Sequence, residues 1–226
     1  MVMKLYMHPV SMTSRPVRLF IAESGIDVEE QTIDLMTGEH HQEPFVSINP
    51  NRLVPVLDDG DFRLTESSSI LKYLADKIDS PAYPKDLKRR AKVNEMMDWF
   101  NTNFYRDYAY GWIYPQIFPH HHRPGDAVQA ATIAWGKERA QGWLQILNDH
   151  WIGPDKAYLC GDQITIADYF GVALLTLGEI IRCDFSIYPN VARWLGNMKR
   201  LQSWPAVNEV LYGFAESVKD QSFDAI

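Results

Sequence analysis

Cysteine is scarce in this chain. Only Cys160 and Cys183 occur in 226 residues, and neither belongs to a C-x-x-C pair. This argues against a disulfide-stapled secreted scaffold and a dithiol redox motif, and predicts two buried thiols in a reducing compartment. Long apolar runs are also missing, so no membrane partner is expected. The N-terminus lacks a signal-peptide layout: Met3-Lys4-Leu5 goes straight into a strand-like pattern, which points to a cytoplasmic protein. Cationic excess is absent as well. The net charge of −7, from 22 Lys and Arg against 29 Asp and Glu, argues against nucleic acid as a partner. There is no internal repeat, no low-complexity tract and no G-x-S-x-G for an acyl nucleophile. His120-His121-His122 has no carboxylate or cysteine at ligand spacing, so it reads as an inter-helix loop and no metal is expected.

The composition that remains, 46% hydrophobic and 23% charged, is that of a globular protein of one large or two small domains. Its periodicity changes along the chain. Strand patterns at Met3–Met7, Val28–Ile33, Pro55–Leu57 and Phe62–Leu64 alternate with helical ones at Arg15–Ser24 and after Ser69, and a loop-and-helix segment over 35–46 carries His40 and His41. Gly25 reads as a helix stop. This order predicts an α/β domain over residues 1–79, with a mixed sheet and helices on both faces. A proline-bearing linker follows at 80–87. Only helical patterns come after it: Asp86–Phe118, Asp126–His150, Ile166–Ile181, Pro189–Arg200 and Pro205–Phe214, an all-α domain over 88–226.

The densest stretch is Asn49–Ser69. Pro55 cannot donate to a sheet ladder and marks a strand start or edge; the Val54–Pro55 bond is a candidate cis bond. Asp58-Asp59-Gly60-Asp61 reads as a hairpin turn. Thr65-Glu66-Ser67-Ser68-Ser69 opens a helix, whose orphan N–H groups make an anion site. Such a stretch can bind an extended peptide through the Val54 backbone and a carboxylate at Ser67, or be a plain hairpin before a capped helix. Farther on, Thr165-Ile166-Ala167-Asp168 is a capping box, flanked by the hydrophobic staple of Ile164 and Tyr169.

These motifs together resemble the cytosolic glutathione transferases. Val54-Pro55 matches that family's cis-proline motif, Glu66-Ser67 its γ-glutamyl motif, and Gly161–Asp168 its helical-domain capping motif. The resemblance implies a thioredoxin-like first domain, an all-helical second domain, a homodimer, and glutathione as co-substrate for a small-molecule electrophile. Tyr6–Arg15 is similar to the theta class and its bacterial dehalogenase relatives, where a serine follows the first strand and an arginine lies four residues on; Ser11 and Arg15 take those places as catalytic residues. Thr13 stands where a proline is common. The zeta class is echoed in part by Ser11, Ser14, Val17 and Arg18. A glutathione-dependent dehalogenase or isomerase, or a non-catalytic regulatory protein of the same fold, are the alternatives.

By the same resemblance, Glu66 takes the γ-glutamyl ammonium, Ser67 its carboxylate and Val54 the cysteinyl backbone. His40 and Arg52 take the glycine carboxylate, and Leu53 stands where a lysine is often found. A hydroxyl donated to the sulfur stabilises the thiolate and so lowers the thiol pKa, as does a helix N-terminus. Ser11 is assigned that task; it can instead cap the helix, and Thr13 and Ser14 are rival donor and rival cap. In the aromatic stretch Trp99–Phe118, the corresponding helix of the family lines the electrophile site, so Tyr105, Tyr108 and Trp112 are expected there. Asn103 and Arg106 fall near where the family reaches across its dimer.

Overall fold

The computed structural model describes residues 2–226; residue 1 of the expected first domain lies outside them. The first half is a mixed four-stranded sheet of order β2-β1-β3-β4. The apolar strand β1 (Met3–Met7) is interior, parallel to β2 (Val28–Thr32) and antiparallel to β3 (Val56–Asp59), with Leu5 opposite Leu57. β4 (Phe62–Leu64) pairs with β3 through a turn tighter than expected: Asp59 pairs with Phe62, so Asp58 and Asp59 extend the strand and Gly60, at φ +66°, makes the turn with Asp61.

Between β1 and β2, α1 (Ser14–Ser24) ends where Gly25 turns left-handed at φ +64°. The 35–46 segment contains a 3₁₀ turn, Glu39–His41, and runs into the single-turn α2 (Phe45–Ile48). Both Glu43–Pro44 and the expected Val54–Pro55 bond are cis. α3 (Ser67–Lys77) buries Ile70, Leu71 and Leu74, the apolar face its spacing predicts.

Beyond Lys77 the regular structure is helical, apart from an isolated bridge between Tyr158 and Gly161. Asp86 caps α4 (Leu87–Trp99) by accepting the Arg89 N–H at 2.9 Å. The backbone then widens into π-helix over Phe100–Phe104 and Arg106–Ile113 before α5 (Tyr114–Ile117), so the helix expected over 86–118 continues but its middle is wound differently. Against it lies α6 (Asp126–Ile146), which runs into a π turn at Leu147–Ile152. The approach is close at two glycines: a Cβ on Gly136 would stand 2.2 Å from the Gly111 carbonyl oxygen.

Every residue of α7 (Ile166–Leu175) is buried, and its capping box forms. Thr176 breaks the pattern expected to run to Ile181. Its hydroxyl donates back to the Ala173 carbonyl at 3.1 Å, and the short α8 (Leu177–Ile180) follows. α9 (Pro189–Lys199) and α10 (Trp204–Ser217) complete the helical half. α1 packs on α3, α7 and α10, and one hydrophobic core runs across both halves. Cys160 and Cys183 are only partly buried, contrary to expectation, and burial pushes their thiols up to about 11 and about 12. Among the described residues, no helix is long and apolar enough to cross a membrane.

Candidate functional site

The chain leaves the interior strand β1 at Met7 and turns through His8–Thr13 before α1 begins, with Thr13 reaching Val54 beside Pro55. Ser11 Oγ accepts the N–H of Thr13 at 3.3 Å and of Ser14 at 3.2 Å. The serine therefore caps α1 while facing a cavity of about 330 Å³. Both roles considered for it are geometrically compatible, because the N–H groups use lone pairs and leave the hydroxyl hydrogen to donate. Thr13 Oγ1 lies 3.0 Å from Ser11 Oγ and donates to the Val54 carbonyl at 2.8 Å. Ser14 is buried, off the cavity, and accepts the His8 N–H at 3.4 Å.

Ser11, His40, Arg52, Leu53, Val54, Pro55, Glu66, Ser67 and Tyr105 come together on this one cavity. The Val54 carbonyl is taken by Thr13, while its N–H has no partner among the described residues. The neighbouring loop is held from within: the Asn49 carboxamide donates to the Leu53 carbonyl at 2.8 Å and accepts the Asn51 N–H at 3.1 Å. Two non-glycine residues here have left-handed backbone, Arg52 at φ +58° and Glu66 at φ +64°, ψ 112°. The Glu66 geometry belongs to a sparsely populated region, a cost found mainly where function demands it. It turns the chain so that Ser67 opens α3 with the helix N-terminus at the cavity. His40, on the 3₁₀ turn, has its ring centroid 3.9 Å from that of His41. Burial, then His41 and His120, hold His40 below the usual imidazole range, and its buried Nδ1 has no partner among the described residues. His41 is not on the cavity.

Three of the sequence-predicted residues do not reach the cavity. Arg15 is buried behind it, donating to Asn208 Oδ1 at 2.6 Å, the Ala173 carbonyl at 2.6 Å, Thr176 Oγ1 at 3.0 Å and Met12 Sδ at 3.0 Å. It ties α1 to the helical half and does not line the cavity, which corrects its expected place among the catalytic residues. Tyr108 and Trp112 are core residues: the Tyr108 hydroxyl donates to the Leu175 carbonyl at 2.8 Å and Trp112 Nε1 to the Asp224 carbonyl at 2.7 Å.

The π winding explains this error. It shifts residues by about one position per turn relative to an α-helix, separating two aromatic rows. Phe104, Tyr108 and Trp112 pack into the core, the first two stacked and the last edge-on to Tyr108. Tyr105, Tyr110, Tyr114 and Phe118 pack edge-on or tilted along the cavity wall, with the Tyr105 and Tyr114 hydroxyls 2.9 Å apart. Burial raises both phenols well above their ordinary range. Tyr110, Tyr114 and Phe118 were present in the aromatic stretch, but α-helical spacing selects the wrong row.

The histidine run also changes meaning, since His120 and His121 line the same cavity as His40. No three His, Cys, Asp or Glu are placed to share a metal ion among the described residues. Asn101, Ile180 and Phe214 complete the wall without having left any local signal. Asn103 and Arg106 are off the cavity; Arg106 pairs with the buried Asp107 at 2.8 Å. A separate cleft of about 490 Å³ between α4 and the loop before α7 holds none of the predicted site residues.

The arrangement is a hydroxyl at a helix start, a free backbone N–H beside a cis-proline, an anion-receptive helix N-terminus and a facing aromatic wall, all on one cavity. Comparison with known proteins agrees with it. The glutathione S-transferase N-terminal domain family matches residues 1–76 and the glutathione S-transferase C-terminal domain family residues 133–202. Human glutathione S-transferase theta-1 is 34% identical over 219 residues, covering 96% of this chain and 88% of that protein. The crystal structure of human glutathione transferase theta-2 in complex with glutathione and an unknown ligand superposes with a TM-score of 0.84 at 29% identity, covering 99% of this chain and 93% of that one. A delta-class glutathione transferase of Nilaparvata lugens gives 0.79 at 31% identity, covering 96% and 98%. The chain belongs to the glutathione S-transferase family.

Proposed function

We propose that this protein is a theta-like glutathione transferase, which ionises the thiol of glutathione and adds the sulfur to a small electrophile. The observation that carries the reading is the Ser11 hydroxyl, on the same cavity as Val54–Pro55 and Glu66–Ser67. A thiol titrating near 8.5 in water is mostly protonated at neutral pH. Ser11 donates to the sulfur and thereby favours the thiolate, and the N-terminus of α1 adds positive potential. The Ser11 oxygen already accepts two N–H groups, which polarises its O–H and strengthens it as a donor.

The remaining residues orient the tripeptide. Ser67 and the N-terminus of α3 receive the γ-glutamyl carboxylate, and Glu66 the ammonium group. The Val54 N–H pairs with the cysteinyl backbone. His40 and Arg52 take the glycine carboxylate, while Leu53 contributes apolar contact only. The thiolate then attacks an electrophilic carbon held against Tyr105, Tyr110, Tyr114 and Phe118; the C–S bond forms as the leaving group departs or as the electrons of a double bond shift onto a neighbouring atom. We take the protein to act in the cytoplasm as a homodimer, which light scattering checks by giving twice the mass of one chain.

The test is Ser11→Ala. Loss of one preorganised donor lowers turnover by about 10²–10³, while the dissociation constant for glutathione stays within a few-fold, because the tripeptide's ends supply most of the binding. Unchanged steady-state turnover overturns the reading.

A further inference from the structure

The loop that carries Ser11 contains a second hydroxyl with an unusual set of partners. Thr13 occupies the position before α1 where a hydroxyl residue normally caps the helix, yet its backbone is in the right-handed helical region and its side chain accepts no cap hydrogen bond. The capping is done by Ser11. Thr13 instead sends its hydroxyl 41 residues along the chain to the Val54 carbonyl, at 2.8 Å.

A carbonyl can only accept, so the Thr13 hydrogen lies on that bond. The 3.0 Å contact between the two hydroxyl oxygens then has one consistent direction, Ser11 donating to Thr13. A directed chain results, from Ser11 O–H to Thr13 Oγ1 and from Thr13 O–H to Val54 C=O. It follows that Thr13 cannot donate to a sulfur while bound to Val54, and that its oxygen is an alternative destination for the Ser11 hydrogen.

We propose that Thr13 is a positioning residue that sets how strongly Ser11 donates to the glutathione sulfur, its oxygen competing for the Ser11 hydrogen while its hydroxyl anchors the pair to the Val54 carbonyl. The inference rests on Ser11 as the sulfur's donor. Ionising the thiol then draws the Ser11 hydrogen away from Thr13, and the thiolate gains only the difference between two hydrogen bonds. The same residue links the loop before α1 to the backbone segment proposed to hold the tripeptide.

The experiment measures the ionisation of enzyme-bound glutathione, read as thiolate ultraviolet absorbance against pH. Thr13→Val keeps the branched shape and deletes the competing oxygen; Thr13→Ala is the second deletion should valine fail to fold. Either should lower the apparent pKa of the bound thiol by about half to one unit, the size of one neutral hydrogen bond. Thr13→Ser retains the oxygen and should restore the parent's thiol pKa. In a Ser11→Ala background the Thr13→Val shift should vanish. A thiol pKa that rises or stays fixed in Thr13→Val and Thr13→Ala, while Ser11→Ala raises it, overturns this proposal and leaves the Ser11 reading standing. A thiol pKa that Ser11→Ala does not move overturns both.

Discussion

Ser67 is buried at the first position of α3, directly after the strained Glu66, and it lines the cavity. Its hydroxyl and the unpaired N–H groups of the first turn form a receptor for a carboxylate that needs no cationic side chain. Ser67→Ala should therefore weaken glutathione binding by about 1–3 kcal/mol, the cost of one charge-assisted hydrogen bond. Turnover at saturating glutathione should change little, because the sulfur is at the other end of the contact. Isothermal titration calorimetry checks this, and an affinity equal to the parent's would locate the carboxylate elsewhere. Ser11 and Ser67 thus make opposite predictions: one residue moves turnover, the other affinity.

At the scale of elements, the start of α7 shows how a local motif becomes a tertiary one. Asp168 accepts the Thr165 N–H at 2.8 Å, as the capping-box spacing implies, and the Thr165 hydroxyl at 2.9 Å besides. It also accepts the Leu159 N–H at 2.8 Å and Trp194 Nε1 at 2.9 Å, two partners that no sequence pattern announces. Asp168→Ala strands several buried donors at about 1–3 kcal/mol each, well beyond the 0.5–2 kcal/mol of an exposed cap. The melting temperature should fall by many degrees, with near-parental turnover per folded molecule. A mutant that melts like the parent but turns over poorly would contradict this.

The same residue carries a pH signature. Burial pushes the Asp168 carboxyl up to about 6, against the opposing pull of its donors. The folded protein then holds a proton that the unfolded chain releases near pH 4. The stability attached to that proton is present below about pH 4 and lost as the pH rises through about 6, at up to about 1.4 kcal/mol per pH unit. Urea titrations of parent and Asp168→Ala between pH 4 and 7 should show the parent's advantage narrowing over this window and flat above it. An advantage that grows with pH would mean that the donors outweigh burial.

For the whole molecule, the decisive contact is Arg15. It leaves α1 and bonds to α7 through Ala173, to Thr176, and to α10 through Asn208, so three elements from both halves share one buried cation. Among the described residues no carboxylate is a hydrogen-bond partner of Arg15, and burial lowers its guanidinium to about 10. Removing the guanidinium leaves several buried acceptors without a partner. Arg15→Ala should cost about 1–3 kcal/mol for each acceptor left without a partner. Hydrogen exchange should then quicken in α1, α7 and α10 together; loss of protection confined to α1 would show that Arg15 does not couple the halves. The expected division at 79 and 88 follows where strand patterns stop, yet the core that Arg15 crosses is continuous between the two sides.

Backbone sterics and local spacing decided much of this protein from its sequence alone. Period-2 and helical repeats placed the strands and the main helices, Gly25 and Gly60 marked positive-φ turns, and Thr165–Asp168 announced a helix start, because each signal acts within a few residues. The same locality made Val54–Pro55 and Glu66–Ser67 legible, and the resemblance to the glutathione transferases joined Ser11 to them. Tertiary structure decided what local spacing cannot encode. The approach of Gly136 to Gly111 goes with π winding in the aromatic stretch, and that winding turned Tyr110 and Tyr114 toward the cavity and Tyr108 and Trp112 into the core. Packing carried His120 and His121 from an apparent loop to the cavity wall, aimed Arg15 at the helical half, and brought Val54 to Thr13. Those partners lie from tens to nearly two hundred residues apart, and the energy that joins them exists only once the core has closed.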